Sequence, residues 1–283
     1  SLRALGSSLA RSLERMEIEA GLSSLTNMVI SLLGIGALIY FGSARALAFS
    51  YALGSAFGVI ATIYVLRAHT YRIFRSFDRR LIVPILATAW PFGLLGLLGA
   101  LSLNTDVVMI GWLTGAHDVG LYATAQKPIQ LLYTLPSLIS GALFPVFSRF
   151  AAIEQRERLV SILQQSLAAI FMFAIPLALI GALLGDVLMP FVFGATYLDS
   201  IPAFRILSLT VLFVYPATIL GHTLFALNLQ KKFIVYVCIS VGVNALGNLI
   251  LIPPFGITGA AIATIMAQGL SSMFFWRTVN TSL

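Results

Sequence analysis

Residues 159–189, LVSILQQSLAAIFMFAIPLALIGALLGDVLM, contain one charged side chain, Asp186. A bilayer core about 30 Å thick is crossed by roughly 20 apolar helical residues, so this stretch is more than long enough for one crossing. Continuous apolar runs such as 32–40 and 57–66 also lack the strict alternation of a transmembrane barrel strand. Because only helices and closed barrels satisfy their backbone hydrogen bonds in lipid, these stretches predict membrane-spanning helices.

Seven further stretches of the same kind fill most of the chain. With 59% hydrophobic residues, 10% charged residues and a mean hydropathy of +0.98, a single soluble domain would expose apolar surface everywhere. The sequence therefore predicts an all-α polytopic membrane protein with about eight transmembrane helices. The predicted spans cover residues 18–41, 45–66, 81–113, 119–148, 159–189, 201–229, 232–252 and 257–279.

Basic residues indicate the orientation of these helices. Most of the 17 lysines and arginines lie in alternate gaps between the spans. The positive-inside rule places such gaps in the cytoplasm, which predicts a multi-pass protein of the inner (cytoplasmic) membrane with cytoplasmic basic loops. The net charge of +7 then reflects topology, and since no nucleic-acid motif accompanies it, no nucleic-acid partner is expected. The basic residues concerned are Arg3, Arg11, Arg15, Arg67, Arg72, Arg75, Arg79, Arg80, Arg149, Arg156, Arg158, Lys231, Lys232 and Arg277.

An internal repeat indicates how the helices are grouped. Residues 54–63, GSAFGVIATI, resemble residues 256–265, GITGAAIATI. The similarity suggests that the first two spans repeat the last two in the same orientation, as parallel transporter repeats do. On this hypothesis residues 1–66 are the C-terminal part of a first lobe, 67–80 a basic cytoplasmic linker and 81–283 a complete second lobe of six helices. The same hypothesis predicts that the sequence is N-terminally incomplete.

Several motifs along the chain are similar to those of one transporter family. They are NTDVVMIG at 104–111, VGLYATA at 119–125, the region 135–148 that ends in LFPVFS, the pair Asn244 and Asn248, and FGITGAAIAT at 255–264. In these motifs the chain resembles the polysaccharide-transporter (Wzx-like) flippases of the multidrug/oligosaccharidyl-lipid/polysaccharide (MOP) exporter superfamily. The resemblance extends over nearly all of the chain and is clearest over 82–280.

The resemblance implies a two-lobed exporter that works by alternating access, with residues 81–283 as a MATE-like lobe. Such proteins move an undecaprenyl-diphosphate-linked oligosaccharide, an O-antigen or exopolysaccharide repeat unit, from the cytoplasmic to the outer leaflet. The sugar and diphosphate pass through a central hydrated cavity while the lipid tail stays in the membrane. The expected partners are the lipid-linked oligosaccharide, membrane lipids and polysaccharide polymerase or assembly proteins.

Two basic side chains are candidate substrate-binding residues. Lys127 lies within the fourth span, where no topological rule requires a lysine, and charges in lipid are costly unless they are paired or hydrated. A compact ammonium group in a hydrated cavity suits a diphosphate. The alternative is that Lys127 extends to the outer interface. Arg205, at the outer end of the sixth span, is either a second cavity cation or an interfacial arginine.

Asp106 and His222 are candidate ion-coupling residues. Asp106 lies late in the third span, and its carboxylate is predicted to take up H⁺ or Na⁺ during the transport cycle. The alternatives for Asp106 are an ion pair with Lys127 and an interfacial position in the outer loop. His222 can titrate near neutral pH, although a lone histidine also serves as a hydrogen-bonded packing residue. Beyond such a coupling ion, the sequence predicts no cofactor.

Four amide side chains complete the candidate substrate-binding set. Gln126 and Gln130 flank Lys127 in the fourth span, and Asn244 and Asn248 share one face of the seventh. These amides can bind sugar hydroxyls, or they can hold neighbouring helices together. For the asparagines the sequence favours helix packing.

Enzyme motifs are lacking in the sequence. It has no glycine-rich nucleotide loop before a helix and no His/Cys cluster with metal-ligand spacing, so an enzyme and a metal site are not expected. Two alternatives to a flippase remain. A MATE-type drug or cation antiporter favours acidic cavity residues. A non-transporting scaffold of a polysaccharide assembly complex predicts that Lys127 and Asp106 are dispensable for export.

Overall fold

A computed structural model describes residues 16–65, 82–153 and 155–283. Regular structure within these ranges is helical, which confirms the all-α prediction. The helices are α1 (Met16–Phe41), α2 (Ala44–Val65), α3 (Ile82–Leu113), α4 (Ala116–Leu132), α5 (Thr134–Ala152), α6 (Arg156–Phe193), α7 (Ile201–Leu209), α8 (Val211–Ala226) and α9 (Gln230–Ser282), with a 3₁₀ helix at Ala195–Ser200 between α6 and α7.

Most of these helices belong to segments that are long and apolar enough to cross a bilayer. By length and composition, six such segments lie within the described ranges: Ala20–Phe41, Arg45–Val65, Ala116–Ala152, Arg156–Phe193, Ala195–Ala226 and Gln230–Ser282. In addition, α3 occupies the predicted span 81–113. Large apolar side chains such as Trp112 and Phe191 are exposed on the helices, as expected of a surface that faces lipid.

The last helix, α9, consists of two antiparallel arms. Its 53 residues would extend about 80 Å as one straight helix, but the backbone at Gly256 leaves the helical region with φ 55° and ψ −138°. Glycine adopts this positive φ without steric cost. Across the arms, Ser240 donates to the carbonyl of Ala267 at 3.0 Å. The first arm (230–255) and the second arm (257–282) therefore correspond to the seventh and eighth predicted spans.

Two other predicted spans are each divided into a pair of helices. α4 passes into α5 at Tyr133, α7 passes into α8 at Thr210, and the hydroxyls of these two residues are hydrogen-bonded to each other. Pro136 has no N–H and leaves the carbonyl of Leu132 without its helical donor. Tyr215 of α8 donates to this carbonyl at 3.0 Å. A side chain of one helix pair thus satisfies a backbone group that proline frees in the other, as the membrane requires.

The chain divides into two compact units, Ser1–Thr88 and Ala89–Leu283. In the first unit α1 packs along α2, where a Cβ atom on Gly58 would lie 2.4 Å from Cγ2 of Thr26. Only glycine permits so close an approach of the two helices. The predicted linker at 67–80 lies outside the described residues, and the division into two transporter lobes stays a prediction.

Glycines also set the separation of α6 and α7 in the second unit. The Cβ position of Gly181 lies 2.2 Å from Oγ of Ser208, and that of Gly185 lies 3.0 Å from Cγ of Arg205. Both glycines are buried. The two helices approach each other closely here because neither position carries a side chain.

Gly181→Ala is expected to lower the thermal stability of the protein, because the new methyl group overlaps the Ser208 side chain. Overpacking of this kind costs about 1–3 kcal/mol. Thermal unfolding of the purified protein measures the loss, and a double-mutant cycle with Ser208→Gly isolates the contact. The double variant should regain most of the stability. An equal loss in both backgrounds would contradict the close packing of α6 on α7.

Candidate functional site

The carboxylate of Asp106, on α3, accepts four hydrogen bonds in the interior of the second unit, where the residue is 1% exposed. Its Oδ1 accepts from the side-chain amides of Asn244 and Asn248, at 2.8 and 2.7 Å. Its Oδ2 accepts from the hydroxyls of Tyr122 and Thr264, each at 2.7 Å. We call these five residues, all of them buried, the Asp106 cluster.

Four helical segments meet at the Asp106 cluster: α3, α4 and the two arms of α9. Asn244 and Asn248 lie one turn apart on the first arm, and Thr264 on the second arm lies 3.3 Å from the Asn244 amide. The arms can lie this close because Gly259 has no side chain. A Cβ atom there would lie 2.0 Å from the carbonyl oxygen of Leu251. Short polar side chains on both arms can therefore reach the same carboxylate.

The Asp106 cluster contains an acid without a basic partner. Within the described ranges Asp106 makes no ion pair, and its four hydrogen bonds come from neutral groups. Four donors fill the lone-pair sites of an ionised carboxylate, and this stabilises the charge in a membrane interior.

Further oxygen atoms surround the carboxylate. Oδ1 of Asn248 is buried and has no hydrogen-bond partner among the described residues. The Thr264 hydroxyl oxygen lies 3.0 Å from the carbonyl oxygen of Ala260. Carboxylate, amide, hydroxyl and carbonyl oxygens are the ligands that hard cations prefer. In the observed arrangement these groups donate to the carboxylate, so a cation at this position would require them to turn their oxygen atoms toward it.

The structure brings three predicted site residues together and leaves Lys127 apart from them. Asp106, Asn244 and Asn248, for which the sequence predicts separate roles, share one cluster. Lys127 has an exposed side chain on α4 and makes no ion pair within the described ranges. The alternative of an ion pair between Asp106 and Lys127 is therefore not what the structure contains.

The two glutamines of α4 lie on either side of Lys127 along the helix. Gln126 donates to the backbone carbonyl of Leu103 at 3.3 Å and so ties α4 to α3. Gln130 is half-buried. Their proposed contacts with sugar stay predictions.

Arg205 lies in an ion pair with Asp186, which connects α7 to α6. Both side chains are substantially exposed, at 41% and 61%. Exposed ion pairs contribute about 0–1 kcal/mol to stability, so this pair orients Arg205 more than it stabilises the fold.

His222 lies on α8 beside a cavity. Its Nδ1 is 2.9 Å from the carbonyl oxygen of Thr218, and its ring packs edge-on against Phe144 with 5.9 Å between the centroids. The ring lines a cavity of about 430 Å³ that is bounded by α3, α8 and the two arms of α9. We call this space the α8 cavity.

Tyr122 and Thr264 also belong to the Asp106 cluster, although neither is conspicuous in the sequence. Each lies in a motif on which the family resemblance rests, Tyr122 in VGLYATA and Thr264 in FGITGAAIAT. Threonine hydroxyls in helices commonly bond to their own backbone, so nothing in the local sequence indicates a distant acid. Their position within those motifs is the signal that could have identified them.

The sequence matches a known protein family. Residues 3–151 match the profile of the family described as "Polysaccharide biosynthesis protein". Two proteins of Haloferax volcanii, "Probable low-salt glycan biosynthesis flippase Agl15" and "Probable flippase AglR", are both 30% identical, over 170 and 181 residues that cover 59% and 61% of this chain. "Uncharacterized membrane protein MJ1068" of Methanocaldococcus jannaschii is 26% identical over 200 residues, 70% of this chain. The matches cover 36%, 37% and 39% of these relatives, so the chain spans less than two fifths of their length.

Two solved structures with a similar fold are described as MATE proteins. "Inward-facing conformation of a multidrug resistance MATE family transporter of the MOP superfamily" aligns with a TM-score of 0.72 at 17% identity, over 99% of this chain and 68% of that one. "Crystal structure of MATE in complex with MaL6" aligns with a TM-score of 0.61 at 14% identity, over 99% and 67%. At these identities the likeness concerns the fold, and it confirms the predicted fold class. Since the profile match covers more than half of the residues, the chain belongs to the polysaccharide biosynthesis protein family, as a multi-pass membrane protein with the fold of MOP-superfamily transporters.

Proposed function

We propose that this protein is part of a flippase that moves an undecaprenyl-diphosphate-linked oligosaccharide from the cytoplasmic to the outer leaflet of the inner membrane. The observation that supports this most directly is the buried Asp106 cluster in a helix bundle of the polysaccharide family. Acids within membrane bundles typically mark ion or substrate pathways. Two relatives are described as probable flippases, one of them in glycan biosynthesis. The basic loops face the cytoplasm in this proposal.

In this proposal the Asp106 cluster binds the coupling ion, H⁺ or Na⁺. The ionised carboxylate joins α3 and α4 to both arms of α9 through its four hydrogen bonds. A proton turns one carboxylate oxygen into a donor, so a neighbouring group that donates to this oxygen must turn to accept from it instead. A Na⁺ ion requires the two asparagine amides to turn their oxygen atoms inward. Either event changes the contacts between the four segments and biases the bundle between two conformations.

Lys127 binds the diphosphate of the substrate in this proposal. Its exposed side chain makes no ion pair within the described ranges and is therefore free to pair with an anion. Arg205 is a weaker candidate, because Asp186 already balances its charge.

Lys127→Ala is expected to weaken the binding of polyprenyl diphosphate by about tenfold, since a hydrogen bond to a charged group contributes about 1.5–3 kcal/mol. Lys127→Arg keeps the charge and should keep most of the affinity. Competition binding to the complete, purified protein measures both variants. Unchanged affinity in Lys127→Ala would remove this residue from the diphosphate site.

Transport itself is tested in proteoliposomes that contain the complete protein. A fluorescent polyprenyl-diphosphate oligosaccharide is placed in one leaflet, and a membrane-impermeant quencher reports its arrival in the other. We expect protein-dependent transfer that follows a cation gradient. Native mass spectrometry of the gently purified protein gives an independent result. A retained polyprenyl-diphosphate saccharide supports the flippase, whereas bulk phospholipid together with binding of lipophilic cations contradicts it and favours a drug or cation antiporter.

A further inference from the structure

The α8 cavity lies within the second unit and has the size of a ligand site. Its volume of about 430 Å³ falls within the roughly 300–1,000 Å³ that small-molecule sites occupy. A Cβ atom on Gly99, which lines it, would have no neighbour within 4 Å, so α3 leaves open space at this wall. The cavity is distinct from the Asp106 cluster, none of whose members lines it.

Three polar side chains of the α8 cavity are available to a ligand. A carbonyl oxygen only accepts, so the contact with Thr218 places the proton of neutral His222 on Nδ1 and leaves Nε2 as an acceptor. Gln268 and Ser271 on the second arm make no side-chain hydrogen bond within the described ranges. Together these groups offer a ligand both donors and acceptors.

Three phenylalanines form an apolar wall of the same cavity. The rings of Phe233 and Phe275 are stacked, with centroids 5.0 Å apart and planes at 13°. The ring of Phe225 lies 4.8 Å from that of Phe233 and is tilted by 46°. Aromatic rings have an electron-rich face, against which the polarised C–H groups of a sugar ring pack favourably.

Charged side chains are missing from the lining of the α8 cavity. Among the described residues, no aspartate, glutamate, lysine or arginine lines it. A diphosphate would lose its hydration there without gaining a counter-charge, which is unfavourable. A neutral molecule with many hydroxyls can instead exchange its bonds to water for bonds to His222, Gln268 and Ser271.

We propose that the α8 cavity binds an uncharged sugar residue of the transported glycan. This inference rests on the proposed function and assigns the sugar and the diphosphate to separate places. The cavity shares both arms of α9 with the Asp106 cluster, because Ser240 lies one turn before Asn244 and Gln268 lies one turn after Thr264. Sugar binding and ion binding therefore act on the same two segments.

The test compares three probes on the complete, purified protein: bare polyprenyl diphosphate, the same carrier bearing a neutral oligosaccharide, and the free neutral oligosaccharide. The saccharide should increase the affinity of the protein for the carrier. In the double variant Gln268→Ala/Ser271→Ala, this increase in affinity should be about tenfold smaller than in the wild type. Bare carrier should bind the double variant as tightly as the wild type, which also shows that the variant is folded. Ser272→Ala, at a neighbouring position that does not line the cavity, is the matched control and should bind all three probes normally.

The outcomes separate this inference from the proposed function. If the gain from the saccharide is absent, or is the same in the double variant and the wild type, the α8 cavity is not a sugar site, although the flippase stands. If neither carrier binds but the free oligosaccharide binds the wild type and not the double variant, the sugar site stands and the flippase fails. Failure of all three probes to bind the wild type overturns both.

Discussion

Asp106→Asn is expected to abolish the dependence of glycan transport on the cation gradient, with gradient-driven transfer falling at least about tenfold. Asparagine has nearly the same shape as aspartate but cannot take up a proton and carries no charge to bind Na⁺. Its amide oxygen can accept from Asn244 and Asn248, and its NH2 group can donate to the hydroxyl oxygens of Tyr122 and Thr264, so the variant should fold. The proteoliposome assay, run separately with a pH gradient and a Na⁺ gradient, identifies the coupling ion in the wild-type protein and tests its loss in the variant.

The matched control for this prediction is Asp199→Asn. Asp199 is an exposed acid in the 3₁₀ helix at Ala195–Ser200, and the same chemical change there should leave transport within about twofold of the wild type. Asn248→Ala removes one donor to Asp106 but leaves the carboxylate itself in place. This variant should weaken the dependence of transport on the cation gradient without abolishing it. Transport by Asp106→Asn that follows the gradient as steeply as wild-type transport would exclude Asp106 as the coupling residue.

Gly259→Ala is expected to destabilise the protein more than Gly181→Ala does, because the new methyl group meets backbone instead of a side chain. The added Cβ would lie 2.0 Å from the carbonyl oxygen of Leu251 and 3.0 Å from the backbone nitrogen of Ile252. Backbone atoms cannot rotate away as a side chain can, so the two arms of α9 must move apart. We expect a loss of about 3 kcal/mol or more in the free energy of unfolding. Since the arms hold Asn244 and Thr264 at the same carboxylate, transport should be lost as well.

Gly242→Ala is the matched control on the first arm of the same helix. A Cβ atom there meets nothing within 4 Å, and alanine is a better helix former than glycine by about 1 kcal/mol, so this variant should be as stable as the wild type or slightly more so. Thermal unfolding in detergent, with and without the cation, compares the two variants. Unfolding of Gly259→Ala at the wild-type temperature would contradict the close contact of the two arms at Gly259.

Helix positions were predictable because the length of an apolar run is a local property of the chain. The span predicted at 159–189 lies inside α6, and the break at Gly256 falls between the spans predicted at 232–252 and 257–279. The divisions at Tyr133 and Thr210 lie three and six residues before Pro136 and Pro216, two of the prolines within the spans that suggest kinks. Prolines near such positions are common in membrane helices, and whether one divides a helix depends on which neighbouring side chain satisfies the freed carbonyl.

The candidate site was predictable only in part. An acid in an apolar span is conspicuous, and so are two asparagines one turn apart, so Asp106, Asn244 and Asn248 could each be named as candidates. Their common location could not be derived, because helix packing in lipid depends on small residues and shape rather than on a distinctive apolar stripe. For the same reason the sequence left open an ion pair between Asp106 and Lys127.

By itself, the sequence determined that this is a polytopic helical membrane protein, because lipid leaves the backbone few ways to satisfy its hydrogen bonds. It also determined the approximate bounds of the helices and the motifs of the family. Only the tertiary structure decided which groups surround the buried acid. Asp106 and Thr264 are 158 positions apart, and they meet because a positive φ at Gly256 and the missing side chain of Gly259 let two arms close upon α3.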